Sequence, residues 1–371
     1  DFFCILLTSR PFPTFVCMRI VLLVALAGLI CPGARAQTLG GSSVFNFLKL
    51  SNTPQLTGLG GINISNQTDD IGLVFNNPAL LRPSMNGNAS FVFNSFYAGI
   101  KNYHLMTGYY HEKWETNFAF GVNYFAYGSI PETDMAGNIL GNFRPVDYVV
   151  QVSAGRQYKE RWHYGATLKF IHSGYGNYRS SGLALDAGLT YTDTANLIQA
   201  SLVLKNMGAQ LSTYTGADPS DLPFDMQVGI SKRLAKAPLQ FSITAHSLHR
   251  FDIRYDDTGF NSENEFGENS NGKKYIFDKL FRHIVVAAQL YIGDKIEIST
   301  AYNHLRRKEL NIGQSANGLN GFSLGVGVLL KKLQLRYARS YYQNNSGYNQ
   351  IGLNVRLIDY FKGNQRAGAS Q

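Results

Sequence analysis

The residues that could carry chemistry do not form a recognised catalytic motif. The sequence has no His-Glu-x-x-His run, its eight histidines are scattered, and the glycine cluster at 58–61 lacks the strand, helix and acidic residue of a dinucleotide-binding loop. No serine, histidine and acid follow the pattern of a known hydrolase. We therefore predict that the protein is not an enzyme and that it carries no cofactor and no metal.

A group of charged residues is more informative. Each lies in a segment of alternating apolar and polar positions, on the polar face and opposite apolar neighbours. They are Asp147, Lys169, Asp186, Lys205, Asp225, Glu297, Arg336 and Arg356. If the polar faces point into an interior, these charges could pair with one another or hold an internal segment there. We predict this structural role, with ligand binding as the alternative.

The elements that position these charges are segments in which apolar residues occupy every second position. In 117–124 the even positions are aromatic or aliphatic, and the odd positions are Asn, Ala or Gly. A period of two places the two sets on opposite faces of a β-strand. The pattern recurs in fourteen segments: 89–100, 103–112, 116–127, 146–157, 162–173, 181–193, 197–206, 223–233, 238–248, 282–293, 295–304, 320–330, 332–342 and 347–357. Most are near the roughly 9–11 residues that a tilted strand needs to cross a bilayer.

Long and short gaps alternate between these segments. The even-numbered gaps are tight, and the odd-numbered gaps include all the long ones, which are 127–146, 206–223, 248–282 and 304–320. Long loops at one end and short turns at the other are typical of bacterial outer-membrane barrels. We therefore predict an all-β membrane protein, a 14-stranded antiparallel outer-membrane β-barrel over 89–357. A soluble periplasmic β-sandwich, barrel or propeller is the alternative.

Residues 18–36 have the organisation of a secretory signal peptide. A short positive start precedes the apolar run Ile20–Ile30, which is too short to span a bilayer, and Ala34–Ala36 offers a small-x-small cleavage site. We predict that 1–17 lie upstream of the natural start. A lipoprotein is the alternative, because a cysteine follows Ile30, although Ile30 stands where a lipobox has a small residue.

The composition agrees with an exported barrel. Cys4, Cys17 and Cys31 all precede residue 37, so the predicted mature chain has no thiol for a disulfide, a metal site or a nucleophile. Charged residues are only 16% of the chain, whereas Gly, Tyr and Phe number 37, 22 and 24. Such a mixture favours strands over solvated helices. The net charge of +9 suits contact with anionic lipopolysaccharide.

The stretch 69–83, DDIGLVFNNPALLRP, is too apolar for a linker and too broken for a strand. Pro78 fixes its own φ and pushes Asn77 out of the α region. Such a segment needs a polar interior to occupy. We predict that 37–88 form a plug inside the barrel, and that 358–371 form a polar C-terminal tail.

The gap 248–282 is the longest, and it mixes acidic with basic residues. Loops of more than about 12–15 residues are usually functional or disordered. A solvated surface loop and a protein-docking loop are both open interpretations.

The plug sequence resembles the N-terminal region of the FadL-like outer-membrane barrels. The matching positions are an Asp-x-Gly run, an Asn-Pro-Ala-Leu run and the aromatic-rich strands that follow. In this sequence they are Asp70, Gly72, Asn77, Pro78, Ala79 and Leu80. The start 39–48, together with the glycine cluster at 58–61, narrows the resemblance to the PorQ family of the type IX secretion system of Bacteroidetes.

The PorQ-family resemblance implies a non-enzymatic outer-membrane scaffold. Members of that family are associated with the complex that attaches cargo to surface lipopolysaccharide, alongside PorU, PorV and PorZ, and are thought to anchor PorZ. The runner-up is a FadL-type transporter of a hydrophobic small molecule. That function needs an apolar pocket in the lumen, whereas the inward faces of the predicted strands carry Gly, Ser, Asn, Gln and charges without an apolar track.

Overall fold

The computed structural model describes residues 43–253, 272–310, 318–343 and 346–360. The predicted signal peptide and the extension before it lie outside these residues, as do 254–271 of the longest loop and 361–371 of the predicted tail. The strands are β1 (Asn88–Ser95), β2 (Lys101–His111), β3 (Thr116–Ala126), β4 (Ile130–Thr133), β5 (Ile139–Phe143), β6 (Val146–Tyr158), β7 (Trp162–Tyr175), β8 (Tyr178–Asp193), β9 (Ile198–Ser212), β10 (Asp225–Arg233), β11 (Leu239–Ala245), β12 (Ile284–Ile292), β13 (Ile296–Asn303), β14 (Phe322–Leu329), β15 (Leu333–Gln343) and β16 (Ser346–Arg356).

The helices are short and lie between or before the strands. They are α1 (Pro54–Gly58), α2 (Gly272–Arg282) and α3 (His304–Leu310), with 3-10 segments at Asn46–Lys49, Ile71–Phe75, Pro78–Leu80, Pro83–Met85, Tyr97–Gly99 and Glu112–Trp114. No helix in the described part of the chain is long and apolar enough to cross a membrane.

Fourteen strands form one closed antiparallel barrel. Each strand pairs with its neighbour in the chain, β3 pairs with β6, and β1 pairs with β16 from Asn88↔Arg356 to Ser95↔Asn349. The predicted 14-stranded barrel is therefore confirmed. The sandwich and propeller alternatives are wrong, because the sheet closes on itself.

The structure differs from the predicted strands at two long-loop positions. The gap 127–146 contains a separate hairpin, β4 with β5. The gap 173–181 is not a loop, because β7 and β8 continue through it as paired strands. They end at a tight turn where Tyr175 pairs with Tyr178 and Gly176 has φ +63°. A glycine there avoids the steric cost of a positive φ.

The side chains of the barrel alternate with apolar residues outside and polar residues inside. In β2, Tyr103 is 46% and Leu105 is 41% exposed, whereas Asn102 and His104 are buried. The same arrangement recurs at outward-facing Phe93, Phe120, Val152, Leu168, Leu185, Ile230, Ile243, Leu324 and Ile351. An apolar outer face is stable in lipid and costly in water. The protein is an outer-membrane barrel.

The plug, from residue 43 onward, lies inside the barrel and runs its length. At the long-loop end, Val44 N–H donates to Asp221 O (3.0 Å) in the β9–β10 loop. At the short-turn end, Gly87 N–H donates to Gly108 O (2.9 Å), and Leu357 N–H donates to Gly87 O (2.9 Å). The chain then enters the wall at Asn88. Almost every plug residue from 51 to 65 is buried.

Candidate functional site

The Asp-x-Gly run of the plug begins a 3-10 segment and binds the wall. Asp70 accepts hydrogen bonds from Gly72 N–H (2.9 Å) and from Asn354 Nδ2 (2.8 Å) of β16. Gly72 leaves room for the plug residue that precedes α1, because a Cβ there would lie 2.5 Å from Thr53 Cγ2. The first half of the plug motif therefore fixes both a local turn and a contact with the barrel.

Arg336 of β15 is the cation that faces this carboxylate. Its side chain is buried and lies 3.6 Å from Asp70 Oδ2 and 3.4 Å from Glu297 Oε2 of β13. Glu297 also accepts from Gln289 Nε2 at 2.9 Å and from plug Gln55 Nε2 at 3.4 Å. A buried guanidinium needs such partners, because an unpaired buried charge is strongly destabilising. The plug is thus ion-paired to one side of the wall.

The Asn-Pro-Ala-Leu run contacts the opposite side of the barrel. Asn77 Oδ1 accepts from Ala79 N–H (2.9 Å), which starts a second 3-10 segment, and Asn77 Nδ2 donates to Ile64 O (2.8 Å) and to Thr190 Oγ1 (3.2 Å) of β8. Ala79 and Leu80 are buried. The motif is therefore a second anchor, about half a barrel away in strand order from the first.

Two inward-facing glycines let the wall approach this second anchor. A Cβ at Gly188 would lie 2.4 Å from Asn77 Oδ1, and a Cβ at Gly165 would lie 2.6 Å from the carbonyl carbon of Pro78. Any larger residue at these positions would displace the plug backbone.

Between the two anchors, buried charges of the wall meet the middle of the plug. Lys169 Nζ lies 2.5 Å from Asp186 Oδ2, and Lys205 Nζ donates to plug Asn76 Oδ1 at 2.7 Å. Asn206 interrupts the β8–β9 register with φ +56°, and its N–H donates to Asp186 Oδ1 at 2.7 Å. This irregularity brings two consecutive polar side chains into the lumen.

The other predicted lumen charges lie away from the plug anchors. Asp147 is buried and accepts from Tyr175 Oη (2.8 Å), as well as from Tyr127 and Ser173 hydroxyls. Asp225 begins β10 at the long-loop end and accepts from Ser247 N–H (2.6 Å). These two carboxylates hold strand ends and loops together.

The lumen prediction for Arg356 is corrected by the structure. Arg356 ends β16 at the short-turn rim, where its side chain is 48% exposed and lies 3.9 Å from Asp359 Oδ2. Its position in the alternation is that of a lumen residue, but it lies past the end of the enclosed space.

An apolar sector of the lumen was missed by the sequence reading. The wall contributes inward-facing apolar side chains to one cluster. Both ends of the plug contribute to the same cluster, with Phe45, Phe47, Leu48, Ile71, Val74, Phe75, Leu81 and Met85. The wall residues are Met106, Ala119, Phe125, Val149, Ile171 and Ala184, joined by Leu222 of the β9–β10 loop. The expectation that the inward faces carry no apolar track is therefore wrong. The available signal was a break in alternation, as in the consecutive apolar pairs Val149–Val150 and Phe170–Ile171.

The plug aromatics fill this sector closely. The Phe47 and Phe125 rings are 5.6 Å apart in an edge-to-face arrangement, and a Cβ at Gly182 would lie 2.8 Å from Phe45 Cε2. Phe45 itself has φ +57°, an uncommon conformation for a bulky residue. Such strained positions cluster at ligand sites and switch regions.

No protein-family model matches the chain. A search of curated proteins finds no match either. Among solved structures, the CymD monoaromatic hydrocarbon channel is similar at 14% identity and a TM-score of 0.44, over 86% of this chain and 97% of its own. A Pseudomonas aeruginosa FadL homologue is similar at 10% identity and a TM-score of 0.43, over 82% of this chain and 98% of its own. The Pseudomonas putida toluene transporter TodX is similar at 10% identity and a TM-score of 0.44, over 82% of this chain and 97% of its own.

Proposed function

We propose that this protein is an outer-membrane passage for a hydrophobic small molecule, closed by its plug. The observation that carries the proposal is the part of the apolar sector beneath the long loops, where Phe45, Phe47 and Leu48 pack. The resemblance of the plug motif to the FadL-like barrels implies the same class of function. The plug aromatics stand in for the ligand in the closed state.

The energetics of this exchange are balanced. Burying one large apolar side chain contributes roughly 1.5–3 kcal/mol. A hydrophobic molecule that displaces Phe47 recovers a similar burial against Phe125, Val149 and Ile171. The exchange therefore requires little net free energy in the apolar sector, and the polar anchors below decide whether the molecule proceeds to the periplasm.

The test is uptake of a labelled hydrophobic compound by a bacterial host that lacks its own channel for such compounds. We would measure labelled toluene and a labelled long-chain fatty acid at low external concentration. Uptake of either several-fold above that of cells carrying the empty vector would support the proposal. Uptake equal to the vector control for both compounds, with correctly folded barrel in the outer membrane, would contradict it for these classes.

A secretion scaffold remains our second proposal. It rests on the resemblance to the PorQ family, and the observation that favours it is a plug held by ion pairs and hydrogen bonds to both sides of the wall. PorZ, PorU and PorV are its proposed partners. Affinity purification from detergent-solubilised outer membranes followed by mass spectrometry tests it, and a preparation that carries no attachment-complex protein would count against it.

A further inference from the structure

Helix α2, in the longest loop, has its apolar stripe turned away from the protein. Phe277, Leu280 and Phe281 are spaced so that they share one face of the helix, and they are 60%, 51% and 52% exposed. The helices of a soluble protein bury such a stripe against the core. Here the orientation is reversed.

The polar side of α2 faces the protein instead. Within α2, Arg282 Nε donates to Asp278 Oδ2 at 2.8 Å. His304 of α3 approaches the same carboxylate, with its Nε2 3.1 Å from Asp278 Oδ1. Burial opposes ionisation of Asp278, but the hydrogen bonds from His304 and Arg282 hold the pKa of this carboxyl below its ordinary value. Lys279 Nζ lies 2.7 Å from Asp252 Oδ2. The contacts of Asp278 with His304 and of Lys279 with Asp252 reach outside the helix, and they fix which face of it points outward.

Ring contacts link the exposed stripe to the lipid-facing surface of the barrel. The Phe281 ring lies 6.1 Å from the His304 ring, which lies 6.0 Å from Tyr302 on β13. Tyr302 is 5.0 Å from Phe322, an outward-facing residue of β14. An unbroken series of ring contacts therefore joins α2 to the apolar outer face.

We propose that α2 lies in the outer leaflet of the outer membrane, with Phe277, Leu280 and Phe281 immersed in lipid. An amphipathic helix of this kind lies in the interface plane with its apolar face about 5–10 Å into the boundary between headgroups and acyl chains. Lys308, half exposed with its Nζ 3.9 Å from Asp278 Oδ1 of α2, supplies a basic group beside the helix that matches the anionic groups of the outer surface. The occupant of the stripe is a lipid surface.

Spin-label accessibility tests this placement without disturbing the fold, because the labelled side chains are exposed. Cys4, Cys17 and Cys31 would be changed to Ser, and Leu280→Cys, Leu324→Cys and Met135→Cys labelled singly with a nitroxide in vesicles of lipopolysaccharide and phosphatidylethanolamine. Leu324 is a lipid-facing reference on β14, and Met135, fully exposed at the β4–β5 hairpin, is a water reference. The readout is the ratio of collision rates with oxygen, which partitions into lipid, and with a water-soluble nickel complex.

We expect the label at 280 to give a ratio close to that at 324 and several-fold above that at 135. In the Phe277→Ser/Phe281→Ser background the ratio at 280 should fall toward the value at 135, because the helix loses its apolar stripe. A ratio at 280 equal to that at 135 in the parent protein would overturn the proposal and would leave a protein partner as the occupant. A high ratio that survives the double substitution would also overturn it, since the helix would then not be held by its stripe.

Discussion

The two ends of the plug are held by different kinds of interaction. The long-loop end, 43–50, is held by the apolar sector, and its polar side chains largely bond within the segment, as Ser43 does with Asn46 and Lys49. The part nearer the short turns, 51–87, also packs into apolar clusters, but it adds ion pairs and hydrogen bonds to the wall. Apolar contacts are non-directional and can be replaced by another apolar group, whereas separating a buried ion pair leaves each charge buried without its partner. The upper end is therefore suited to ligand exchange and the lower part to closure.

A covalent link between the lower plug and the wall should have the largest effect on uptake. The Ser65 and Ser231 hydroxyl oxygens are 2.7 Å apart, so the two side chains meet and cysteines at these positions are placed to form a disulfide bond. In the background free of Cys4, Cys17 and Cys31, oxidised Ser65→Cys/Ser231→Cys should reduce uptake to the vector level, and a reductant should restore it.

The matched control places the same link within the wall. The Ser153 and Thr167 hydroxyls of β6 and β7 are also 2.7 Å apart, so Ser153→Cys/Thr167→Cys adds a disulfide without tying the plug. Uptake should be unchanged in this variant. Undiminished uptake with the Ser65–Ser231 link fully formed would show that the lower plug does not have to move.

Removal of the central cation should release the lower plug. Arg336→Met leaves Asp70 and Glu297 facing each other without a cation, and breaking a buried pair costs about 3–5 kcal/mol. Amide hydrogen exchange in 51–87 should rise by at least about 100-fold on that estimate, since 1.4 kcal/mol corresponds to tenfold. Conductance across a planar bilayer should increase with it.

Two further variants make this result specific. Arg356→Met removes a rim arginine whose side chain is 48% exposed, and exposed pairs contribute only about 0–1 kcal/mol. Asp70→Asn and Glu297→Gln added to Arg336→Met should recover most of the protection, because no buried charge is then unpaired. Equal effects of the two single arginine substitutions would argue against an ion-paired lower plug.

The barrel could be predicted from sequence because the same alternation of apolar residues recurs in every strand that faces lipid. Every membrane strand places apolar residues at alternate positions, so each is visible without knowledge of its neighbours. The hairpin of β4 (Ile130–Thr133) and β5 (Ile139–Phe143) was missed because both strands are short, and all of β4 is exposed, so that neither has a buried face to create a pattern.

The site was less predictable because its contacts join distant parts of the chain. Alternation identified Arg336 as a lumen residue, but its partner Asp70 is fixed by barrel closure rather than by any local pattern. The same rule failed for Arg356, since the period of a strand gives the face of a residue and not its depth along the barrel. The apolar sector is assembled from five strands. Each strand contributes only one or two inward-facing apolar side chains, which in the sequence look like isolated exceptions to the alternation.

The smallest predicted effect sharpens the comparison at the upper end of the plug. Phe47→Ala removes a buried ring, and Phe→Ala in a rigid core costs about 3–5 kcal/mol. Because 43–50 can detach without breaking the lower anchors, this loss should appear as faster hydrogen exchange in that segment and not as lower stability of the barrel. The apparent affinity for a hydrophobic compound should rise, since a larger fraction of the protein has an open apolar sector. Asn46→Ala removes only exposed hydrogen bonds within the same segment, so it should change both quantities much less than Phe47→Ala. Faster exchange throughout 51–87 in Phe47→Ala would mean that the plug detaches as one unit, and the proposed division between its two ends would then be wrong.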